Sequence, residues 1–332
     1  MRFYLGTKAL WLAKTDVPIF VSRSSLHSRV YRFHRALGPW ALDSGGFTEI
    51  EKHGRWTVDP ETYAREVRLW QREIGNLDWA SPQDLMCEPH MLLRAILADG
   101  YADGVRERRK GEKDLAYRRY MIGKAQEWAA DRRKAAMLRQ RVCVHQQRTI
   151  DNLITLRELA PEVAWIPVLQ GWFPQDYIAH ANAYYRAGID LAAERIVGLG
   201  SVCRRSKLDD AELVISILAG DMGLKLHGFG LKKTAFKNKT VVSLLASADS
   251  MAWSAGGRWG SKKEGGKLCK AGRHHGKCNN CLHWALEWRD ATLGVIEETL
   301  FGENEDDCED EVEEDDDLAL AANPDEDDSL AP

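Results

Sequence analysis

The sequence alternates short, apolar, β-prone runs with longer segments in which apolar residues recur every three or four positions. Eight runs have the composition of buried strands, at residues 2–5, 18–22, 40–43, 79–84, 165–170, 195–199, 224–229 and 242–248. Segments between the later runs, such as 174–187 and 209–222, have the period of amphipathic helices. Such alternation is typical of βα units around a parallel sheet. We therefore predict an α/β protein, with a (β/α)8 TIM barrel as its architecture and an open doubly wound sheet as the alternative.

Polar residues and glycines stand at the carboxyl ends of six of the predicted strands. They are Asp43 in LDSGGF, Asp84, Gln170 with Gly171, the GLGS segment from Gly198, the HGFG segment from His227, and Asp249. Taken alone, the LDSGGF stretch is explained equally well as a plain turn. Six ends in register are harder to explain in this way, because turns need neither Gln nor His. In a barrel these ends converge on one mouth, where we expect a catalytic site.

Charge is distributed unevenly along the chain. Residues 303–332 hold 16 Asp and Glu and no Lys or Arg, so the formal charge of -4 for all 332 residues becomes +12 for residues 1–302. A basic body is suited to a polyanionic partner. We expect the acidic segment 303–332 to be a disordered tail that keeps the body soluble or competes for its binding face.

Residues 101–150 form a basic, helix-forming segment that is too long for an ordinary connection. Lys and Arg exceed Asp and Glu there by eight, so pairing within the segment cannot neutralise it. A solvated pair of helices is the simpler interpretation. We favour contact with nucleic-acid phosphates, through residues 106–141.

Seven cysteines are too few for a disulfide scaffold in a chain of this length. No charged start followed by a long apolar run marks a signal peptide or a membrane span, so we expect a cytoplasmic protein that has no membrane partner.

Three of the cysteines lie close together and predict a structural Zn²⁺ site in a C-terminal subdomain, at residues 262–290. Cys278 and Cys281 have CxxC spacing, and Cys269 is a natural third ligand. The fourth ligand is one of three nearby histidines, His274, His275 and His283. We choose His275, which forms an HxxCxxC run with the two later cysteines. The alternative is that the cysteines are free thiols in a loop.

The order of the motifs carries a family resemblance. LDSGGF, an Asp-containing strand end, VLQG, GLGS, HGFG, ASADSMAWS and a final cysteine cluster together resemble the guanine transglycosylase superfamily over most of residues 1–290. This superfamily is best known for inserting 7-deazaguanines into tRNA. The compact size, the basic insertion and the lack of an appended RNA-binding domain most resemble the phage and bacterial branch that modifies DNA. The resemblance implies a catalytic barrel over residues 1–300, in a bacterial or phage-infected cytoplasm.

The resemblance also implies a mechanism that these residues could carry out. Exchange of a base with retained configuration at C1′ requires a double displacement, in which a carboxylate attacks the sugar and the incoming base attacks the covalent intermediate. A second carboxylate would transfer the proton that accompanies each base. By position in the motifs, Asp249 would be the nucleophile and Asp43 the general acid/base.

The substrate-binding residues follow from the same resemblance. They are Ser44, Phe47, Asp84, Gln170, Gly198 and His227. Asp84 would accept hydrogen bonds from the guanine edge, Gln170 and the backbone at Gly198 would contact its carbonyl and 7-substituent, and Phe47 would stack on the ring. His227 departs from the apolar residue of the tRNA enzymes. It is either a base contact or a structural histidine.

The predicted function is therefore the exchange of guanine in DNA for a 7-deazaguanine of the preQ0 type, with DNA and the free base as partners. Reaching a guanine in a duplex requires flipping it out or presenting it in a single strand, and phosphate contacts must offset the cost. Two alternatives stay open: the same chemistry on tRNA, and a nucleic-acid-binding relative without catalysis. An oligomer is possible, and the sequence does not decide which 7-deazaguanine is inserted.

Overall fold

A computed structural model describes residues 1–27, 33–201, 208–263 and 278–302. Its strands follow the order of the predicted runs. They are β1 (Arg2–Thr7), β2 (Ile19–Ser22), β3 (Trp40–Asp43), β4 (Leu77–Ala80), β5 (Val168–Leu169), β6 (Val197–Leu199), β7 (Leu226–Gly228) and β8 (Leu245–Ser250). The α/β class is thereby confirmed.

All eight strands belong to one parallel sheet, in the order β4-β3-β2-β1-β8-β7-β6-β5. The two ends of this order meet at a parallel bridge between Ala80 and Trp165. There the N–H of Ala80 donates to Ala164 O at 3.0 Å, and the N–H of Ile166 donates to Ala80 O at 3.1 Å. The sheet therefore curls round until its edges touch, which is consistent with the predicted (β/α)8 barrel.

Helices fill the connections between the strands. Within the described residues they are α1 (Arg23–His27), α2 (Gly46–His53), α3 (Pro60–Ile74), α4 (Pro89–Ala98), α5 (Asp114–Ala130), α6 (Arg132–Leu159), α7 (Pro174–Arg186), α8 (Leu208–Ile215), α9 (Lys239–Leu244), α10 (Ala252–Lys263) and α11 (Leu282–Phe301). None of these helices combines the length and the hydropathy that crossing a bilayer would require.

The strands are apolar on both faces because both faces are covered. Alternate residues, such as Leu5 and Leu42, pack against the surrounding helices in the main core. Their neighbours Tyr4, Phe20 and Trp79 point the other way and pack together in a second cluster. This double burial explains why the strands appear in the sequence as continuous apolar runs.

Several predicted strand boundaries were wrong, and two of these errors have a clear physical reason or bear on the site. β4 ends at Ala80, so Asp84 lies in the following loop rather than at the end of the strand. The run 242–248 was expected to be one strand, but Val242 belongs to α9. Asn238 caps that helix by accepting a hydrogen bond from Val241 N–H at 2.9 Å, and this cap outweighs the β-propensity of the valines.

The basic segment 101–150 contains α5 and the first part of α6. These two helices and α4 share a small core of their own, which includes Leu93, Met121, Trp128 and Val142. Further along α6, Leu153 belongs instead to the main core. The helix α6 therefore packs in both cores and connects the basic segment to the sheet. The domain limits given above stay a prediction. The tail 303–332 lies outside the described residues.

Candidate active site

A cavity of about 320 Å³ lies at the carboxyl edge of the sheet. Every strand contributes to its wall, either from its last residues or from the loop that follows. The contributors are Thr7 at the end of β1 and Lys8 after it, Ser22 at the end of β2, Asp43 of β3, Ser81 and Asp84 after β4, Gln170 after β5, Gly200 and Ser201 after β6, Phe229 and Gly230 after β7, and Asp249 of β8. The strand ends thus converge on one place, as active-site residues do in barrel enzymes.

The LDSGGF turn places Asp43 at this cavity and sends the chain into α2. Gly45 has φ +78°, a left-handed conformation that glycine adopts without strain. A Cβ at Gly46 would lie 2.9 Å from Met86 Cε and 3.0 Å from the carbonyl oxygen of Asp84. The first glycine therefore makes the turn, and the second allows the Asp84 loop to approach.

Asp43 and Asp249 are brought together from distant parts of the sequence. Both line the cavity, and their strands are separated in the sheet by β2 and β1. The pKa of Asp43 is raised to about 7, chiefly by burial and then by the charge of Asp84, with a smaller contribution from Asp249. Hydrogen bonds from Gly45 and from the Ser22 side chain act in the opposite direction. Near neutral pH, Asp43 can therefore both donate and accept a proton.

Asp249 is held through one of its two oxygens. Oδ1 accepts a hydrogen bond from Gly230 N–H at 2.9 Å and lies 3.2 Å from His227 Nε2. His227 Nδ1 lies 2.8 Å from Ser247 Oγ. The two ring nitrogens of His227 therefore face Ser247 on one side and Asp249 on the other. Oδ2 has no hydrogen-bond partner among the described residues, and the side chain lines the cavity.

His227 supports Asp249 from behind the cavity. Its side chain is fully buried and does not belong to the cavity wall. Its ring packs among aromatic side chains, at 4.7 Å from Trp79 and 4.9 Å from Phe229 between ring centroids. In this position the histidine contacts a carboxylate, whereas the sequence left open a base contact and a structural role.

A second group of residues surrounds Asp84. Its Oδ1 accepts a hydrogen bond from Ser44 Oγ at 2.9 Å, and its Oδ2 accepts one from Gln170 Nε2 at 2.6 Å. Gln170 Oε1 in turn lies 2.7 Å from Ser201 Oγ. Burial raises the pKa of Asp84 to about 6, with Glu88 adding to the rise while the bonds from Ser44 and Gln170 oppose it. At neutral pH Asp84 is therefore mostly an ionised acceptor in a buried wall.

Phe47 lies on the cavity wall with a cation on its ring. The guanidinium carbon of Arg118 is 5.2 Å from the ring centroid, and Arg118 Nη2 lies 2.8 Å from Glu51 Oε2 in a two-pronged ion pair. Arg118 comes from α5 in the basic segment, yet its side chain is only 7% exposed. The basic segment therefore contributes one side chain directly to the cavity.

One face of α6 supports the loops that carry the Asp84 group. His145 Nδ1 lies 2.7 Å from Met86 O, Gln146 Nε2 donates to Gln170 O at 2.8 Å, and Thr149 Oγ1 accepts from Leu85 N–H at 3.1 Å. Burial lowers the pKa of His145 to about 4, so the ring is neutral and donates to the carbonyl. Sequence analysis missed these residues because they belong to no motif and are ordinary in a helix.

Gly198 and Ser44 lie beside the cavity rather than on its wall. A Cβ at Gly198 would lie 2.6 Å from the ring of Phe229, so this glycine makes room for an aromatic side chain. The backbone that does reach the cavity after β6 is that of Gly200, together with Ser201. Phe47, Asp84 and Gln170 line the cavity as expected, along with both carboxylates.

The rest of the basic segment is partly neutralised and partly open. Arg106 pairs with Glu112, Arg108 with Asp114, and Arg141 with Asp99. Other cations are exposed and make no ion pair within the described residues. They include Arg109, Lys110, Arg119, Arg132, Arg133 and Arg139. These side chains are the ones placed to contact a polyanion.

The predicted zinc site is only half visible. Cys278 and Cys281 are buried next to each other, and the N–H of Cys281 donates to Cys278 O at 3.2 Å. Cys269 and His275 lie outside the described residues. Within the part of the chain that is described, three or more possible metal ligands do not come together at any place. The zinc site therefore stays a prediction.

A curled parallel sheet with two carboxylates meeting at its carboxyl edge has the arrangement of the α/β-barrel enzymes. The family model DpdA, described as DeoxyPurine in DNA protein A, matches residues 1–111 and 112–306. The chain belongs to this family, the 7-deazaguanine DNA transglycosylases related to the guanine transglycosylases. The resemblance drawn from the motifs is thereby confirmed. No curated protein matches the chain.

Proposed function

We propose that this protein exchanges guanine in DNA for a 7-deazaguanine base of the preQ0 type by double displacement, with Asp249 as nucleophile and Asp43 as general acid/base. The observation that carries the proposal is the convergence of these two carboxylates and the Asp84 group on one cavity, in a chain of the DpdA family.

Binding of the base would use the Asp84 group. Ionised Asp84 accepts hydrogen bonds from N1–H and the 2-amino group of guanine, which are adjacent donors on one edge. Gln170 Nε2 carries a second proton that it can give to the 6-oxo group. Phe47 supplies an aromatic face for the ring. A 7-deazaguanine has the same edge, so one pocket serves the leaving and the entering base.

The first displacement forms a bond between Asp249 Oδ2 and C1′ as the bond between C1′ and N9 breaks. The bonding electrons leave with guanine, and neutral Asp43 gives its proton to the departing base. In the second displacement the entering base gives a proton to Asp43 and attacks C1′, and the sugar ester of Asp249 breaks. Gly230 N–H and His227 Nε2 stabilise the returning carboxylate through Oδ1.

DNA as the substrate agrees with the charge of the chain. Residues 1–302 carry a formal charge of +12, and the exposed cations of α5 and α6 lie on the segment that also sends Arg118 to the cavity. Phosphate contacts there would offset the cost, on the order of a few kcal/mol, of taking the target nucleotide out of the stack.

The test is nucleoside mass spectrometry of DNA and tRNA from cells that express the wild type or Asp249→Asn. We expect a 7-deazaguanine nucleoside in DNA, none above background in tRNA, and none in either with the variant. The purified wild type should form a covalent adduct with DNA that Asp249→Asn does not form. Modification found in tRNA alone would show that the substrate is tRNA and not DNA. Base exchange by Asp249→Asn would show that Asp249 is not the nucleophile.

We also propose a structural Zn²⁺ held by Cys269, His275, Cys278 and Cys281. The buried pair Cys278 and Cys281 supports this, since a CxxC pair supplies two of four tetrahedral ligands. The ion would brace the chain before α11 and take no part in the reaction. Metal analysis should find one zinc per chain in the wild type and less than half of that in Cys278→Ser; equal zinc in both would contradict this ligand set.

A further inference from the structure

One side of the cavity is not used by the mechanism above. It is formed by Thr7, the last residue of β1, by Lys8, which follows it, and by Ser24 and Ser25 of α1, and we call these four residues the β1 wall. β1 is paired with β8 in the sheet, with Tyr4 opposite Asp249 and Leu5 opposite Ser250. A sugar attached to Asp249 must therefore lie beside the end of β1.

The charges around the cavity restrict where a phosphate group can lie. Carboxylates dominate the wall: they are Asp43, Glu51, Asp84, Glu88 and Asp249. Two cations oppose them, Lys8 and Arg118. Arg118 is held by both oxygens of Glu51, whereas Lys8 makes no ion pair with any described residue. A phosphate repelled by the carboxylates is attracted to the end of the cavity that holds Lys8.

Two hydroxyl groups of the β1 wall, those of Thr7 and Ser25, have an unused donor, whereas Ser24 Oγ donates to Ser22 Oγ at 3.2 Å. Thr7 is 5% exposed, and its Oγ1 is buried without a hydrogen-bond partner among the described residues. Ser25 Oγ accepts a hydrogen bond from Ala9 N–H at 2.9 Å, so its own proton is free for an acceptor oxygen. A buried hydroxyl without a partner destabilises the folded chain, because its desolvation is not compensated. An oxygen-rich ligand would satisfy both groups.

We propose that Thr7, Lys8 and Ser25 form a subsite for the phosphodiester group of the nucleotide whose base is exchanged. Lys8 supplies the positive charge, and the two hydroxyls donate to phosphate oxygens. The subsite rests on the proposed function for the identity of that nucleotide. It would hold the sugar against Asp249 while one base leaves and the next enters.

Lys8→Met tests the subsite, with Lys14→Met as the matched control, since Lys14 is exposed in the same connection and does not line the cavity. We expect Lys8→Met to raise KM for a DNA oligonucleotide about tenfold, and to reduce the slope of log binding constant against log salt by about one. KM for the free 7-deazaguanine should not change. Lys8→Arg should restore most of the affinity for DNA, and Lys14→Met should behave as the wild type.

Two results would overturn the subsite: an unchanged KM for DNA with an unchanged salt slope in Lys8→Met, or an equal rise in KM for DNA and for the free base. Thermal unfolding of each variant shows whether the fold is kept, and Lys8→Arg separates loss of charge from loss of fold. If the wild type bound DNA but exchanged no base, the proposed function would fail. A weaker DNA complex with Lys8→Met would in that case still support the subsite.

Discussion

The two sides of the cavity differ in how completely their polar groups are satisfied. On the base side, both oxygens of Asp84 accept hydrogen bonds, and the Gln170 amide is held at both its nitrogen and its oxygen. On the β1 wall, the hydroxyl of Thr7 has no partner among the described residues, and Lys8 has no ion pair there. Satisfied buried networks fix their members in one arrangement. The base side is therefore organised in advance, and the β1 wall is completed by its ligand.

This difference matches two different tasks. The base side must distinguish one purine edge from others, which requires acceptors and donors in fixed places. The β1 wall must hold a phosphate group that every nucleotide carries, for which one cation and two hydroxyls suffice. Substitutions on the two sides should therefore fail in different ways.

The largest effect is expected at Asp43, which stands between the two sides. Asp43→Asn removes the group that exchanges a proton with each base, so kcat should fall about 10³-fold. Because the pKa of Asp43 is about 7, the wild type should show a change of rate with pH near 7 that the variant lacks. The measurement is the exchange rate of labelled guanine between pH 5 and 9. The same pH profile in both proteins would mean that another group transfers the proton.

A smaller loss, about 10²-fold in kcat/KM for the entering base, is expected from Asp84→Asn. The amide nitrogen of Asn would face the donors of the guanine edge, and one carboxylate acceptor would be lost. The loss should appear mainly in KM for the base, with KM for DNA within about twofold. Equal losses for base and DNA would show that the two sides are not separate.

The buried carboxyls of Asp43 and Asp84 should make the protein less stable as the pH rises, which is the opposite of the usual effect of ion-paired carboxylates. The pKa values of Asp43 and Asp84 are raised to about 7 and about 6, above the ordinary value near 4 of an unfolded carboxyl. The folded chain thus binds more protons than the unfolded one between about pH 4 and 7. The contribution of these groups to stability is fully present below about pH 4 and is lost as the pH rises through 6 to 7. Asp84→Asn should therefore unfold at a higher temperature than the wild type at pH 8, with less difference at pH 4.

The site residues that belong to sequence motifs were predicted correctly as neighbours in one cavity. Asp43, Phe47, Asp84, Gln170 and Asp249 line the cavity because residues after parallel strands share one edge. The end of β4 was predicted at residue 84 but lies at Ala80. Where a strand ends depends on backbone pairing with its neighbour, which the sequence does not record. A short polar stretch after an apolar run has the same composition in either case.

The supports of the site could not be predicted in the same way. His145 and Thr149 lie on α6 some 60 residues beyond the Asp84 loop that they contact. Gln146, between them, contacts the Gln170 loop instead, and only the fold brings these residues to the two loops. Arg118 looked like one more cation of a basic segment, but it is buried against Phe47 and paired with Glu51. Local composition contains no information on contacts at that separation.

The support from α6 can be tested separately from the chemistry. Gln146→Met removes donors to Gln170 O and Asp176 O, so the free energy of unfolding should fall by about 1–3 kcal/mol. KM for the base should rise severalfold because Gln170 loses its fixed position. The control is Gln147→Met, since Gln147 is exposed and, among the described residues, its side chain bonds to Asp151 of the same helix. Denaturant unfolding and base titration should separate the two variants, and equal stability in both would contradict this role for α6.

The smallest effect is expected on the β1 wall, where a substitution should raise the free energy of unfolding, whereas Gln146→Met lowers it. Valine has nearly the shape of threonine, so Thr7→Val removes a buried hydroxyl that has no protein partner among the described residues and leaves the packing intact. The folded protein should become more stable by about 1 kcal/mol, because an unsatisfied group is no longer buried. KM for DNA should rise about threefold, because a donor to the phosphate is lost, while KM for the base stays the same. On the base side the loss of a hydrogen-bonding group at constant charge lowers stability, as in Gln146→Met. A fall in stability in Thr7→Val would show that the hydroxyl already has a partner in the protein, and the contrast between the two sides of the cavity would then disappear.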